Sequence, residues 1–233
     1  MKIEELQQQL SPYDISCSEE QLLLLDKFMK STLETNEKFN LTAITDSDQF
    51  VEKMIYDSAL ALYTVDLEGK TIIDVGTGAG FPGMILQILA PTCEMTLLDS
   101  TAKKVNHLIE FAKENNINVN GVSARVEDYA KENREKFDYA CARAVAPLNI
   151  LLEIITPLLK VGGTFLALKG QGFEDEIAFS NEALRKLNCH VEKVLEFELP
   201  ESLEKRYIIH IVKDKETNKK YPRQYTDIKR QPL

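Results

Sequence analysis

The chain has 233 residues, 44% hydrophobic and 28% charged, enough for one globular domain with a small extension. Its formal net charge of −9 argues against a protein that coats nucleic acid generally. With no signal peptide and no apolar run of about eighteen residues, the reading is a soluble, cytoplasmic chain with no membrane partner.

The charge is uneven. From Lys213 onward seven Lys and Arg face three Asp and Glu, a net +4 that leaves −13 on the rest. A basic tail of this kind fits a local polyanion contact or a solvated, frayed terminus about equally. Cys17, Cys93, Cys141 and Cys189 form no Cys-x-x-Cys pair and lie beside apolar residues, which predicts buried reduced thiols. His107, His190 and His210 lack ligand spacing, so no metal site is expected.

Residues 1 to 65 read as helical. Ser18-Glu-Glu-Gln21 is a capping box ahead of a stripe of Leu22, Leu25, Phe28, Met29 and Leu33. Phe39-Asn40-Leu41-Thr42 supplies the polar turn that ends this helix, and a further helix is predicted from about Asp48 to Leu62. Because this segment precedes the first strand, it is an appendage to the sheet.

From Thr71 the pattern is βαβα. Thr71 to Val75 is a β-branched apolar strand, followed by Gly76, Gly78, Gly80, then Pro82 and the apolar helix Met84 to Ala90. Strands are predicted at Glu94–Asp99, Val119–Ser123, Phe137–Ala142 and Thr164–Leu168, with helices at Thr101–Asn115, Glu127–Asn133, Leu148–Leu159 and one marked by Phe173, Ile177, Leu184 and Leu187. Val191–Leu199 and Tyr207–Val212 are strands joined without a helix, hence antiparallel neighbours. The fold class is therefore α/β, a Rossmann-like sheet of seven strands, mostly parallel with the last reversed, plus N-terminal helices. The implied division is residues 1–66 as a helical extension, 67–213 as the core and 214–233 as the basic tail.

The glycine stretch alone leaves two cofactors open. Gly78-Ala-Gly80-Phe-Pro-Gly83 fits the dinucleotide pattern, and Gly76-Thr-Gly78-Ala-Gly80 behind Asp74 fits S-adenosylmethionine-dependent methyltransferases. Both use glycine to let a ligand approach the backbone, and free N–H groups at the helix start to favour polar or anionic ligand groups. In open α/β sheets the ligand lies beyond the carboxyl ends of the strands, so Gly76 to Phe81, Asp99, Val126-Glu127, Arg143 and Lys169-Gly170 should ring one crevice. Asp99 is placed to accept from both ribose hydroxyls, or to cap the helix from Thr101, or both. The terminal hairpin favours the methyltransferase, since too little chain remains for the substrate domain of a dehydrogenase.

The acceptor is narrowed by the loop after the fourth strand. Ala142-Arg143-Ala144-Val145-Ala146-Pro147 is not the Asn/Asp-Pro-Pro-aromatic loop of enzymes that methylate exocyclic amines, and Cys141 lies inside a strand, unsuited to nucleophilic carbon methylation. A ring nitrogen with a free lone pair, such as guanine N7, remains. It needs placement and no general base. Arg143 then orients the acceptor, or is a plain surface ion pair.

Taken together, Phe39-Asn40-Leu41-Thr42, Asp57-Ser58, Asp74 to Gly83, Leu98-Asp99-Ser100, Lys103-Lys104, Arg143-Ala144, Leu168-Lys169-Gly170 and Tyr221-Pro222-Arg223 resemble the RsmG family, also called glucose-inhibited division protein B. These are bacterial methyltransferases that make 7-methylguanosine at one position of 16S ribosomal RNA. The resemblance implies the class I methyltransferase fold and S-adenosylmethionine as cofactor, contacted by Gly76, Phe81, Val126, Glu127 and Arg143, to which the glycine turn and the strand end add Gly78 and Asp99. It also implies RNA contacts or guanine orientation by Arg125, Arg143, Lys169, Arg206 and Arg223, and a monomer acting on a 30S particle or assembly intermediate. Val126 stands where the family often has Ala. After Arg223 the family's glycine-containing turn is replaced by Gln-Tyr-Thr-Asp-Ile-Lys. A methyltransferase for a small molecule or protein, favoured by the acidic body, and a non-catalytic ribosome-assembly factor are the alternatives.

Overall fold

The computed structural model describes residues 1–233. Short helical turns and α1 (Leu6–Leu10) lead into α2 (Glu19–Asn36), whose Ser18 cap accepts from the Gln21 N–H while the Gln21 side chain accepts from the Ser18 N–H. The Gln21 amide also donates to the carbonyls of Ile88 and Leu89, at 2.9 and 3.1 Å, and so seats α2 on the core.

The helix expected from Asp48 to Leu62 is not continuous. It is α3 (Ser47–Phe50), a π-helical stretch over Val51–Tyr56, α4 (Asp57–Ala59) and α5 (Ala61–Thr64). The wider π turn, a common device near functional sites, has a tertiary cause here. Glu52 points to the far hairpin, where its carboxylate accepts from the N–H groups of Glu201 and Ser202 at 2.7 and 2.8 Å.

The sheet then builds in sequence: β1 (Thr71–Val75), α6 (Gly83–Leu89), β2 (Glu94–Asp99), α7 (Ala102–Glu114), β3 (Val119–Ser123), α8 (Val126–Glu132), β4 (Phe137–Arg143) and α9 (Leu148–Ile155). It ends with β5 (Leu159–Lys169), α10 (Phe173–Phe179), α11 (Asn181–Leu187), β6 (Cys189–Glu198), β7 (Lys205–Lys213) and α12 (Tyr225–Arg230). Strand order is β3-β2-β1-β4-β5-β7-β6, with β7 alone antiparallel to its two neighbours. The α9 helix is shorter than predicted because Pro157 turns the chain through a 3-10 step, after which Leu159 already pairs with Phe137 as the start of β5. One predicted helix is two, since Ser180 caps α10 and opens α11.

Each sheet face carries its own core. One holds α2, α6, α7 and the N-terminal turns around Phe28, Phe50 and Leu108; the other holds α8, α9, α11 and α12 around Leu151, Phe165 and Leu187. Both central strands are therefore apolar on both sides, as parallel sheets require.

The tail is neither frayed nor free. Tyr221 and Ile228 are buried, and Arg134 donates to the carbonyls of Tyr221 and Thr217, each at 2.6 Å. Arg223 closes on the fully buried Glu153 of α9 through its backbone N–H (3.0 Å), Nε (2.7 Å) and Nη2 (2.6 Å). Removing one partner of such a pair leaves an uncompensated buried charge. Arg223→Ala is expected to lower stability by about 3 kcal/mol in urea unfolding, and adding Glu153→Gln to recover most of the loss.

Candidate functional site

The site grows from the end of β1. Gly76, Gly78 and Gly80 have φ of +73°, +57° and +97°, a path closed to most L-residues. Asp74, wholly buried, accepts from the Gly83 N–H at 2.9 Å and so ties strand to helix across the turn. A Cβ on Gly83 would lie 2.8 Å from that of Asp74, so the position admits only glycine.

The turn's N–H groups are largely spent within the protein, contrary to the expectation that they are free. Gly76 and Thr77 donate to the Leu98 carbonyl at 2.8 and 3.0 Å, Gly80 and Phe81 to the Thr77 carbonyl, and Gly78 to Asp99 Oδ2 at 3.0 Å. A pyrophosphate needs those donors, so the dinucleotide reading loses its chemical basis. What remains is a smooth backbone surface. A Cβ on Gly78 would meet nothing nearer than the Gly76 carbonyl at 3.8 Å, the kind of space a ligand fills.

Above the turn lies a cleft of about 390 Å³. Gly76, Gly78, Phe81, Asp99, Val126, Glu127, Arg143 and Arg125 all line it. Asp99 does not cap the next helix as expected; its Oδ1 accepts at 2.8 Å from the N–H of Thr101, which is itself the residue at the helix's N-cap. The Glu127 carboxylate, on a residue only 6% exposed, has no hydrogen-bond partner within the protein, which leaves it free to accept from a ligand. Ala144, at φ +55°, turns the chain so that Val145 lies over Gly76, where a Cβ would stand 2.6 Å from Val145 Cγ2. An alanine in that region is strained, and the strain sits on the cleft wall.

Arg143 is no free fork. Its Nη1 donates to the Lys53 carbonyl (2.9 Å) and to Asp57 Oδ2 (3.2 Å), and its guanidinium lies 5.5 Å from the Phe81 ring centroid. Arg206 reaches the same Asp57 oxygen at 3.4 Å through Nε and pairs with Glu204 at 2.6 Å. Burial pushes the Asp57 carboxyl up, and the two guanidiniums beside it pull it back down. Sequence reasoning gave Asp57 no part in the site; its signal was an acid inside the apolar run Ile55–Leu62.

Three of the other four predicted cations, Lys169, Arg206 and Arg223, lie away from the cleft lining. Lys169 donates to Glu176 at 2.6 Å and to the Ala146 carbonyl at 3.2 Å, bracing the loop before α9. Arg223 is held by Glu153, and Arg206 borders the site through Asp57. Arg125, exposed at the start of α8, alone of these four carries no ion pair. Lys104, Met54 and Tyr225 line the cleft unforeseen. Cys141 is fully buried, and that burial raises its thiol well above the ordinary value.

A glycine-turn cleft at the strand ends of a sheet with one reversed strand defines the class I methyltransferase fold. Solved structures of this fold align at low identity. One is the 1,6-didemethyltoxoflavin-N1-methyltransferase of Burkholderia thailandensis with S-adenosylhomocysteine, at TM-score 0.57, 16% identity and 80% and 89% of the two chains. Another is TYW2 of M. jannaschii with AdoMet, at TM-score 0.56, 15% identity and 73% and 77%. The model of the GidB family, rRNA small subunit methyltransferase G, matches residues 21–208. Relatives bearing the name ribosomal RNA small subunit methyltransferase G are 39% identical in Halalkalibacterium halodurans and 40% in Lactobacillus acidophilus, each over 100% of both chains. One from Thermoanaerobacter sp. is 44% identical over 89% of this chain and 88% of its own. The chain belongs to the rRNA small subunit methyltransferase G family.

Asp74 gives the site a pH signature. Burial raises its carboxyl to about 6, against an ordinary value of 3.8, even with hydrogen bonds pulling the other way. Between roughly pH 4 and 6 the folded chain holds a proton the unfolded chain has lost, so stability falls as pH rises through that window, by up to about 3 kcal/mol. Asp74→Asn keeps an oxygen for Gly83 and loses this dependence. Its stability relative to the parent is expected to climb from pH 4 to pH 7 in urea unfolding.

Proposed function

We propose that the cleft binds S-adenosylmethionine and that the protein methylates guanine N7 at one position of bacterial 16S ribosomal RNA. The observation that carries this is the convergence of Gly76, Phe81, Asp99, Glu127 and Arg143, from separate elements, on one cleft whose turn donors are already satisfied. Such a cleft suits a ligand held by hydroxyls, a base and apolar contact better than one held by phosphates. When bound, the donor supplies an electrophilic methyl on a sulfonium.

Asp99 accepts from the ribose hydroxyls with lone pairs left over from Gly78 and Thr101. Glu127 and the Val126 backbone meet the base, and Gly76, Gly78 and Phe81 pack the ribose and methionine portions. Arg143 is the orienting group. Its guanidinium is held in place by Asp57 and Lys53, so little side-chain entropy is lost when it meets guanine O6 or a phosphate. Guanine N7 is nucleophilic while neutral, so alignment can lower the barrier without a general base. Cys141, buried and protonated, is not a nucleophile for carbon methylation.

Arg125 and Arg206 flank the cleft as RNA contacts, while Lys169 and Arg223 act by holding the loop before α9 and the tail. The chain works as a cytoplasmic monomer on a 30S particle or assembly intermediate. No helix is long and apolar enough to cross a membrane.

Incubation with labelled S-adenosylmethionine and unmodified 16S rRNA, free or in 30S particles, is expected to give labelled 7-methylguanosine on nucleoside analysis. Label on an exocyclic amine, on carbon, or only on protein would overturn the reading. Asp99→Ala is expected to weaken cofactor binding by roughly tenfold or more, the scale of one charge-assisted hydrogen bond, and to leave RNA affinity unchanged. Calorimetry with S-adenosylhomocysteine and a filter assay with RNA separate the two.

A further inference from the structure

Beyond β7 the chain does not leave the molecule. It returns along α9, and α12 begins beside the cleft. Three anchors fix this path. Arg134 holds the carbonyls of Thr217 and Tyr221, Arg223 grips Glu153, and Ile228 is fully buried. Arg223 Nη2 also donates to the Gln231 carbonyl at 3.1 Å, closing the tail on itself across α12.

These anchors bracket Tyr225, the first residue of α12. Its side chain is half-buried and lines the cleft together with Val126 of α8 and Ile154 of α9. The other aromatic ring lining the cleft, Phe81, is already engaged, with Arg143 over its face and the rings of Phe28 and Phe50 packed at 5.4 Å between centroids. Tyr225 is engaged by neither an aromatic partner nor a cation; it packs in part on the core of that sheet face and contributes the rest of its surface to the cleft. An aromatic face, apolar neighbours and the unpartnered Glu127 carboxylate together make a slot for a flat heteroaromatic ring that bears an N–H donor.

We propose that the C-terminal tail is a wall of the donor cleft and that Tyr225 is the surface on which the base of the donor's nucleoside stacks. The proposal rests on the cofactor assignment above and adds a residue that the sequence placed outside the site.

The test is calorimetry on the full chain with S-adenosylhomocysteine and with 5′-methylthioadenosine, which shares only the nucleoside end. Tyr225→Ala is expected to raise both dissociation constants about tenfold, the loss seen when one base-stacking aromatic is removed. Tyr225→Phe is expected to bind as the parent does, and Tyr225→Leu, which keeps the helix start covered, to lose severalfold. Thermal unfolding identifies any variant weakened by its fold. Parent-like binding of both ligands by Tyr225→Ala and Tyr225→Leu overturns the stacking role, as does a loss confined to RNA affinity. If the parent chain itself binds neither ligand, the cofactor assignment falls first and this proposal with it.

Discussion

The molecule depends on one buried hydrogen bond, from the Gly83 N–H to the Asp74 carboxylate. It joins the last turn of β1 to the first of α6 over eight intervening residues that cannot be helical, because three of them run at positive φ. Without that tie the glycine turn is a flexible loop. With it, the turn is a rigid shelf whose own N–H groups are bonded to Leu98 and Asp99 on the adjacent strand. The cost is an acid in an apolar interior, and its raised pKa is the measure of that cost. The same crowding explains why Gly83 is confined to glycine: the room a side chain needs is filled by Asp74 and Leu97.

A second buried acid organises the other side of the cleft. Asp57 accepts from two guanidiniums that arrive from β4 and β7, and Glu204 and Lys53 extend the cluster to the rim. Charges held this way are worth more to binding than to stability. A fixed cation near the cleft mouth, on an otherwise acidic body, offers local attraction to phosphate where the average field repels it. That reconciles a net charge of −9 with an RNA substrate.

Strands were legible where turn chemistry brackets a β-branched run: Glu94–Asp99 and Val119–Ser123 form over the residues the pattern marks. Cleft residues on strand ends were legible for the same reason, since the topology dictates where those ends meet. The break over Val51–Tyr56 was not, because its cause is Glu52 reaching residues 149 and 150 positions further along. Nor was the fold of the tail. Its basic residues read equally as a polyanion contact or a solvated terminus, but Arg223 pairs with an acid inside an apolar helix, and only the packing of α9 reveals that Glu153 has no water to turn to. Lys169 misled in the same sense: a cation at a strand end looked free until Glu176 was found beside it.

The ties between the N-terminal turns and the β6–β7 hairpin bear on how the chain matures at the ribosome. Glu52, Lys53 and Asp57 are synthesised about 150 residues ahead of their partners Ser202, Glu204 and Arg206. A nascent chain short of those partners carries two buried acids with incomplete neutralisation, and Arg143 lacks the second guanidinium that shares its anchor. The cluster that fixes Arg143 is therefore complete only once the β6–β7 hairpin has docked on the N-terminal turns.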